Sequence, residues 1–208
     1  SPFVKDFKVA EVPENLKVQS QREESLASFQ KLTIKQLRDL ETEILYLHQL
    51  PVKSDTYIIN RYMNHPVYKY NVYSILKDNM VKALCIIRPI FKEDSVVLSC
   101  VDFIGQNDDF PLLHDFIFFL LKEYNAEYFD FYSYGIPQEL IRKAGFINRK
   151  DVKNLIVPGY FEPFEKKNVE ISFGYKNLQT HIPVRIFKGD GDSDRPSKIQ
   201  GYNEYLNN

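Results

Sequence analysis

Residues 95–146 have the sequence SVVLSCVDFIGQNDDFPLLHDFIFFLLKEYNAEYFDFYSYGIPQELIRKAGF, which predicts a strand, a polar loop, a helix, a second strand and a short helix. Alternation along the first strand predicts one face made of Val96, Leu98, Cys100, Asp102 and Ile104. The helix has an apolar stripe formed by Leu113, Phe116, Ile117, Leu120, Leu121 and Tyr124. Because strand, helix and strand follow one another within about 30 residues, we expect a crossover between parallel strands. Gly145 is expected to end the short helix as a left-handed C-cap.

Two helices are predicted ahead of this unit. Thr33 and Gln36 form a capping-box pattern at the start of the first helix, which Pro51 should end. The apolar stripe of that helix is Ile34, Leu37, Leu40, Ile44 and Leu47. The second helix should cover residues 55–65, because the residue before Pro66 avoids helical angles.

An antiparallel meander is predicted between these helices and the crossover unit. Residues 67–77 and 81–88 favour strands, and Asp78 and Asn79 suit the two-residue turn between them. Pro89 is expected to close the second strand. The whole pattern predicts an α/β fold class with the mixed sheet of an α+β protein. Its parts are an antiparallel meander and a crossover helix.

We divide the chain into three parts. Residues 1–30 are an N-terminal arm or a first strand, residues 31–157 the core, and residues 158–208 a small β-rich extension with a flexible tail. First-strand candidates are residues 4–12 and 16–18. Later short strands are expected at residues 155–157, 169–173 and 184–187.

Composition limits the classes of function. The 27 basic and 28 acidic residues nearly cancel, so we expect no nucleic-acid partner. No apolar run approaches the roughly 20 residues of a membrane helix, and no signal peptide is visible, so we expect a cytoplasmic protein without a membrane span. Cys85 and Cys100 are expected to be buried free thiols in the sheet. A homodimer is left open.

The order of elements resembles the core of the GNAT acyl-CoA transferase fold. The strings RYMNHPVYKY, VDFIGQNDDF, LIRKAGF and GDGDSDRP resemble, more specifically, GNAT-like proteins encoded with bacterial surface-polysaccharide genes. The resemblance covers about residues 55–196. It implies a GNAT-like fold and transfer of an acyl group from acyl-CoA to a sugar or amino-sugar precursor of a surface polysaccharide.

Asp102 is the first candidate catalytic residue. The resemblance implies that its strand separates there from its parallel neighbour, opening the cleft where donor and acceptor meet. A desolvated carboxylate at that place could act as a general base. The alternative is a buried aspartate that accepts hydrogen bonds from the backbone amides of the next loop.

The next loop is the candidate cofactor site, because the family binds the CoA pyrophosphate on amides there. The residues are Gly105, Gln106 and Asn107. The two later glycines of the family pattern are missing. Asp108 and Asp109 place two carboxylates on the helix terminus and should repel a pyrophosphate, which weakens the case for acyl-CoA.

The tyrosine that many family members use as a general acid is also replaced, by Ile141. Tyr134 is the substitute candidate, with Tyr132 beside it on the same strand as a substrate-binding residue. The alternative for both is sheet packing with hydroxyls at the rim.

Arg61, His65 and Tyr68 are candidate acceptor-binding residues near the end of the second helix. They would suit a hydroxylated or anionic acceptor such as a nucleotide sugar. The alternative is a helix end stabilised by His65, with an exposed arginine.

No metal site is expected. Residues 190–195 place aspartates at positions one, three and five of a calcium-loop pattern but lack its glycine and its final glutamate. We expect a surface turn in which Arg195 pairs with one of these aspartates.

Two functions therefore stay open, an acyltransferase acting on a sugar precursor or a catalytically inactive GNAT-like domain. The inactive domain would bind a nucleotide sugar or a partner protein.

Overall fold

The computed structural model describes residues 8–13, 27–40, 49–92, 94–159, 165–178, 181–191 and 194. The strands are β1 (Ala27–Lys31), β2 (Asn71–Lys77), β3 (Met80–Lys92), β4 (Ser95–Gly105), β5 (Phe129–Phe131), β6 (Ser133–Tyr134) and β7 (Ile186–Phe187). The helices are α1 (Ile34–Asp39), α2 (Asp55–Ile58, continued as a π-helix over Ile59–Met63), α3 (Leu113–Glu123) and α4 (Gln138–Lys143). Short 3₁₀ helices cover Asn107–Leu112, Arg149–Asp151 and Lys188–Asp190.

The main sheet has five strands in the order β1-β2-β3-β4-β5. The pairings from β1 to β4 are antiparallel, and β5 lies parallel to β4. The mixed α+β architecture is therefore confirmed, as is the crossover through α3. No helix in the described part of the chain is long and apolar enough to cross a bilayer.

Each face of this sheet is covered by helices, so the core has two halves. On one face α3 buries its predicted stripe, with Leu113, Phe116 and Leu120 fully enclosed. On the other face α1 and α2 bury Leu37 and Ile58 against the sheet. Burial on both faces explains why β4 has almost no exposed residue.

A β-bulge in β4 changes the side of the sheet that Asp102 occupies. Ile86 pairs with Asp102 while Ile87 pairs with Cys100, so Val101 is the extra residue. Leu98 and Cys100 face α3, but Val101 and Ile104 belong to the opposite half of the core. The expectation of one shared face from Val96 to Ile104 is wrong, because an inserted residue reverses the alternation that follows it.

Several local predictions are confirmed. The Thr33 hydroxyl accepts from the Gln36 amide in a complete capping box. Asp78 and Asn79 both have positive φ, as a type I′ hairpin turn requires. Gly145 has φ +87° after α4.

Other boundaries differ from the predictions. α1 ends at Asp39 because Leu40 is extended, and the predicted continuation through Ile44 and Leu47 lies outside the described residues. β3 does not end at Pro89 but continues to Lys92. The pairing of β3 with β2 ends at Ile87, so the amide hydrogen that Pro89 lacks has no partner on β2 to lose.

The terminal segments also differ. β1, at residues 27–31, was not predicted, and most of the earlier first-strand candidates lie outside the described residues. Residues 169–173 form no strand, and Ile156 makes only an isolated bridge, to Glu11. The strand predicted at 184–187 is confirmed in part as β7, which pairs with β6.

Candidate functional site

The strands β4 and β5 separate after a short parallel pairing. They are paired from Leu98 and Phe129 to Cys100 and Phe131 only. Beyond this point β4 continues to Gly105, whereas the chain after β5 forms β6 and pairs with β7. The predicted separation of the two strands is therefore present.

The space opened by this separation is filled by the chain itself. We call residues 183–191, which include β7 and the following 3₁₀ helix, the closing segment. Gly189 lies so close to β4 and α2 that an added Cβ would be 2.3 Å from Tyr62 Oη and 2.9 Å from the Val101 carbonyl oxygen. Phe187 and Lys188 of the same segment are buried. Within the described part of the chain, no open cleft therefore reaches β4 at Asp102.

Asp102 is the centre of a buried polar network. Its Oδ1 is 2.5 Å from Lys53 Nζ and accepts a 2.9 Å bond from the Phe103 amide. Its Oδ2 accepts a 2.7 Å bond from Tyr62 Oη. Lys53 also pairs with Asp190 of the closing segment, at 2.9 Å. Lys53 and Asp102 have no exposed side-chain surface.

The pKa directions follow from this burial. Burial alone would lower the pKa of Lys53, but the two carboxylates outweigh it and raise the pKa. Burial, followed by the like charge of Asp190, raises the pKa of Asp102, while Lys53 opposes the rise. Lys53 is thus held as a cation between two aspartates. The expectation that Asp102 lies at an open cleft is wrong. Its alternative is correct in that Asp102 is buried, but the amide that it accepts is that of Phe103 within β4 and not an amide of the following loop.

The predicted acceptor-binding residues are Arg61, His65 and Tyr68. They lie near one another, and their side chains contact other parts of this chain. Arg61 donates to the Gly189 carbonyl at 3.2 Å. His65 Nδ1 accepts from the amides of residues 67 and 68, and its ring stacks on Tyr68. The Tyr68 ring covers the guanidinium of Arg88 at 4.2 Å.

Arg88 binds the buried residue Asp194. Their side chains form an ion pair at 2.6 Å, and Tyr70 donates to Asp194 at 2.6 Å. Asp194 is buried and Asp190 partly buried, and each pairs with a buried cation, so the expected surface turn is wrong for these two. Asp192 and Arg195 lie outside the described residues. In the part of the chain described here, no three His, Cys, Asp or Glu side chains gather where they could hold a metal ion.

Tyr132 lies near a second buried carboxylate, that of Asp130. Neither Asp130 oxygen has a hydrogen-bond partner among the described residues. Burial raises the pKa of Asp130, and Lys188 opposes that rise. Burial lowers the pKa of Lys188. Burial and then Asp130 raise the pKa of Tyr132 to about 12.

Tyr134 lies elsewhere, in an exposed aromatic cluster with Phe173 and Tyr175. The Tyr134 and Tyr175 hydroxyls are 2.9 Å apart, and the Tyr134 and Phe173 ring centroids 5.2 Å apart. None of the groups bonded to Asp102 is Tyr134. The structure therefore does not bring the two candidate catalytic residues together.

This cluster borders an open groove of about 660 Å³. Its walls come from residues 50–51, from residues 173–178 and from the closing segment. Phe173 and Tyr175 are 48% and 51% exposed. Asp190 lies at the junction between this groove and the buried pair of Lys53 and Asp102.

The predicted cofactor loop is bound by Arg185 of the closing segment. The guanidinium donates to the Gly105 carbonyl and, at 2.8 Å, to Asn107 Oδ1. Gln106 and Asp108 line a smaller cavity of about 250 Å³ beside Arg185. The two aspartates begin a 3₁₀ helix, Asn107–Leu112, rather than α3 itself.

Sequence reasoning missed Lys53, Arg185 and Lys188. Lys53 lies two residues after Pro51, and nothing in the sequence marks it as buried. Arg88 carried a usable signal, because it is the one charge inside the apolar run ALCIIRPIF.

Comparison with known proteins adds little. No protein family matches the sequence, and no curated protein matches it significantly. A crystal structure of the wild-type protein TTHA1254 from Thermus thermophilus is similar with a TM-score of 0.40 and 9% identity. The match covers 58% of this chain and 88% of that one. A likeness this low supports no argument about fold or function.

Proposed function

We propose that the chain is a catalytically inactive GNAT-like domain that binds a nucleotide sugar. The observation that carries the proposal is the burial of Asp102, whose carboxylate forms an ion pair with Lys53 beneath the closing segment. A general base must reach the proton of its substrate through a free lone pair, directly or through one water. Both oxygens of Asp102 are engaged, and Gly189 of the closing segment packs against Tyr62 and the Val101 carbonyl.

The groove beside the closing segment is the proposed ligand site. Its volume of about 660 Å³ lies within the range of small-molecule sites, and its walls are mainly apolar. The half-exposed rings of Phe173 and Tyr175 offer faces on which a nucleobase or the apolar face of a sugar can stack. Lys176 supplies a positive charge for the diphosphate.

Thermal unfolding with UDP-N-acetylglucosamine tests this proposal against acetyl-CoA. A ligand at about 100 times its dissociation constant should add about 2.7 kcal/mol to the free energy of unfolding. We expect the nucleotide sugar to raise the Tm of the wild type and to have much less effect on Tyr175→Ala. Phe91→Ala is the matched control, because Phe91 is 72% exposed on β3 and does not line the groove.

Acyl transfer to a sugar precursor is the competing proposal. It requires the closing segment to leave β4, so that Asp102 can exchange Lys53 for a substrate. Release of free CoA thiol from acetyl-CoA in the presence of an amino sugar or nucleotide sugar would support this alternative. The absence of a Tm rise with any nucleotide sugar would contradict the binding proposal.

A further inference from the structure

Cys85 and Cys100 lie side by side in the sheet although 15 residues separate them in the sequence. Cys85 belongs to β3 and Cys100 to β4, and both side chains are completely buried on the face that α3 covers. Both are free thiols, and their Sγ atoms are 3.3 Å apart. A disulfide bond needs only a further approach of these two atoms, to about 2.05 Å.

The register of the two strands makes this pair a diagonal one. Cys85 is paired with Phe103 and Cys100 with Ile87, and the bulge at Val101 lies between the two pairings. The Cβ atoms of diagonal neighbours are usually farther apart than the roughly 3.5–4.5 Å that a disulfide spans. Closing the bond must therefore pull β3 and β4 together at the bulge. A disulfide strained in this way is more easily reduced than a structural one.

The thiol hydrogens connect this pair to the bulge. Cys100 Sγ donates to the backbone carbonyl of Asp102 at 3.4 Å. Because that bond uses the hydrogen of Cys100, the hydrogen between the two sulfur atoms comes from Cys85. Oxidation removes both hydrogens, so the Asp102 carbonyl loses this donor. The Asp102 side chain binds Lys53, which also binds Asp190, so a change at the bulge reaches the closing segment.

We infer that Cys85 and Cys100 form a redox couple, which closes to a strained cross-strand disulfide and thereby loosens the closing segment. Disulfides in reducing compartments are mostly transient and catalytic or redox-sensing, and this pair fits the second kind. The inference does not rest on the proposed function, because neither cysteine lines the groove.

The oxidation step is an exchange with a low-molecular-weight disulfide such as oxidised glutathione. One protein thiolate attacks that disulfide, forms a mixed disulfide and releases one glutathione thiolate, and the second protein thiolate then displaces the other. Two protein thiols are oxidised while one glutathione disulfide is reduced to two thiols, and the two thiol protons pass to the released glutathione. Burial raises the pKa of Cys100, so the exchange proceeds when the strands open and is slow.

Equilibration of the folded protein in glutathione buffers, from fully reduced to fully oxidised, tests the inference. Samples are quenched by alkylation, their free thiols are counted by intact mass, and each equilibrium is approached from both directions. We expect two alkylated thiols in the reduced buffers, and neither an alkylated thiol nor attached glutathione in the most oxidised one. In the oxidised form, the amide of Phe187, which donates to Asp190, should exchange its hydrogen faster.

Cys85→Ala is the matched control, because it keeps the thiol that donates to the Asp102 carbonyl but cannot close the disulfide. Its Phe187 amide should exchange at the same rate in all the buffers. Two alkylated thiols in the most oxidised buffer, or only mixed disulfides with glutathione, would overturn the inference. So would a disulfide that reduced glutathione does not open, or an oxidised form whose Phe187 amide exchanges no faster than that of the reduced protein.

Discussion

Lys53 and Asp102 form a fully buried ion pair, with 2.5 Å between Nζ and Oδ1, although 49 residues separate them in the sequence. The pair joins the segment before α2 to the bulged part of β4. Asp190 binds the same ammonium group from the closing segment. Three distant parts of the chain are therefore held by one cation, and loss of either partner leaves an uncompensated charge in the core.

Asp102→Asn should lower the free energy of unfolding by about 3 kcal/mol, because removal of one partner from a buried ion pair is strongly destabilising. Denaturant unfolding measures the change, with Asp78→Asn as the surface control. The double variant Lys53→Met/Asp102→Leu should be less destabilised than the sum of its single variants. A variant that keeps its stability but loses an acyl-transfer activity by about 10²–10⁴ would instead support catalysis by Asp102.

Gly189→Ala should destabilise the protein by about 1–3 kcal/mol, the usual cost of overpacking. The new methyl group would lie 2.3 Å from Tyr62 Oη, so the closing segment must move away from β4. Gly174→Ala is the matched control, because no atom lies within 4 Å of its added Cβ. Equal melting temperatures for the two variants would mean that the closing segment packs less tightly than the structure indicates.

His65 should make stability depend on pH in the mildly acidic range. Its Nδ1 accepts from two backbone amides, and burial and then Arg61 lower its pKa. The unfolded chain takes up this proton near pH 6.5, whereas the folded chain takes it up at lower pH, so stability should fall as pH decreases below about 6.5.

The slope of Tm against pH between about 5 and 7 measures this effect. His65→Asn should remove much of the slope, because an amide oxygen can accept the same bonds without titrating. His181→Asn, at an exposed position, should keep the wild-type slope. If both variants behave alike, the dependence comes from other groups.

Cys85 and Cys100 should titrate as two thiols in the denatured, unreduced protein. Their Sγ atoms are 3.3 Å apart in the core, and both are present as free thiols. Burial raises the pKa of Cys100, so reaction in the native state should be slow. Cys85→Ala should leave one reactive thiol. Finding none in the wild type would indicate a disulfide, and the prediction of a reducing compartment would fall with it.

Local features of this fold were predictable because their causes are local. The capping box at Thr33, the turn at Asp78 and the stripe of α3 depend only on residues within a few positions. The bulge at Val101 was not predictable, because it arises from the pairing with β3 and has no marker in the sequence of β4. That one residue determines which half of the core receives Asp102.

The candidate site was harder to predict than the fold, because its charges meet across long separations. Lys53 and Asp190 are 137 residues apart, and neither lies in a pattern that suggests burial. Arg61, His65 and Tyr68 lie within eight residues of one another in the sequence, so their proximity was predictable, whereas their role in binding an acceptor stays a prediction. Their contacts with Arg88 and Gly189 could come only from the tertiary structure.

The separation between Lys53 and its second aspartate also bears on how the chain reaches its folded state. Lys53 can meet Asp102 once β4 is made, but Asp190 arrives much later in synthesis, as do the partners of Arg61 and Tyr70. Pairings of such high contact order form late in folding, because a long loop must close before they contribute. An intermediate with the sheet formed and the closing segment undocked would keep these charges hydrated. Pulse-labelled hydrogen exchange during refolding should therefore protect the amides of β2 to β4 before that of Phe187, which donates to Asp190.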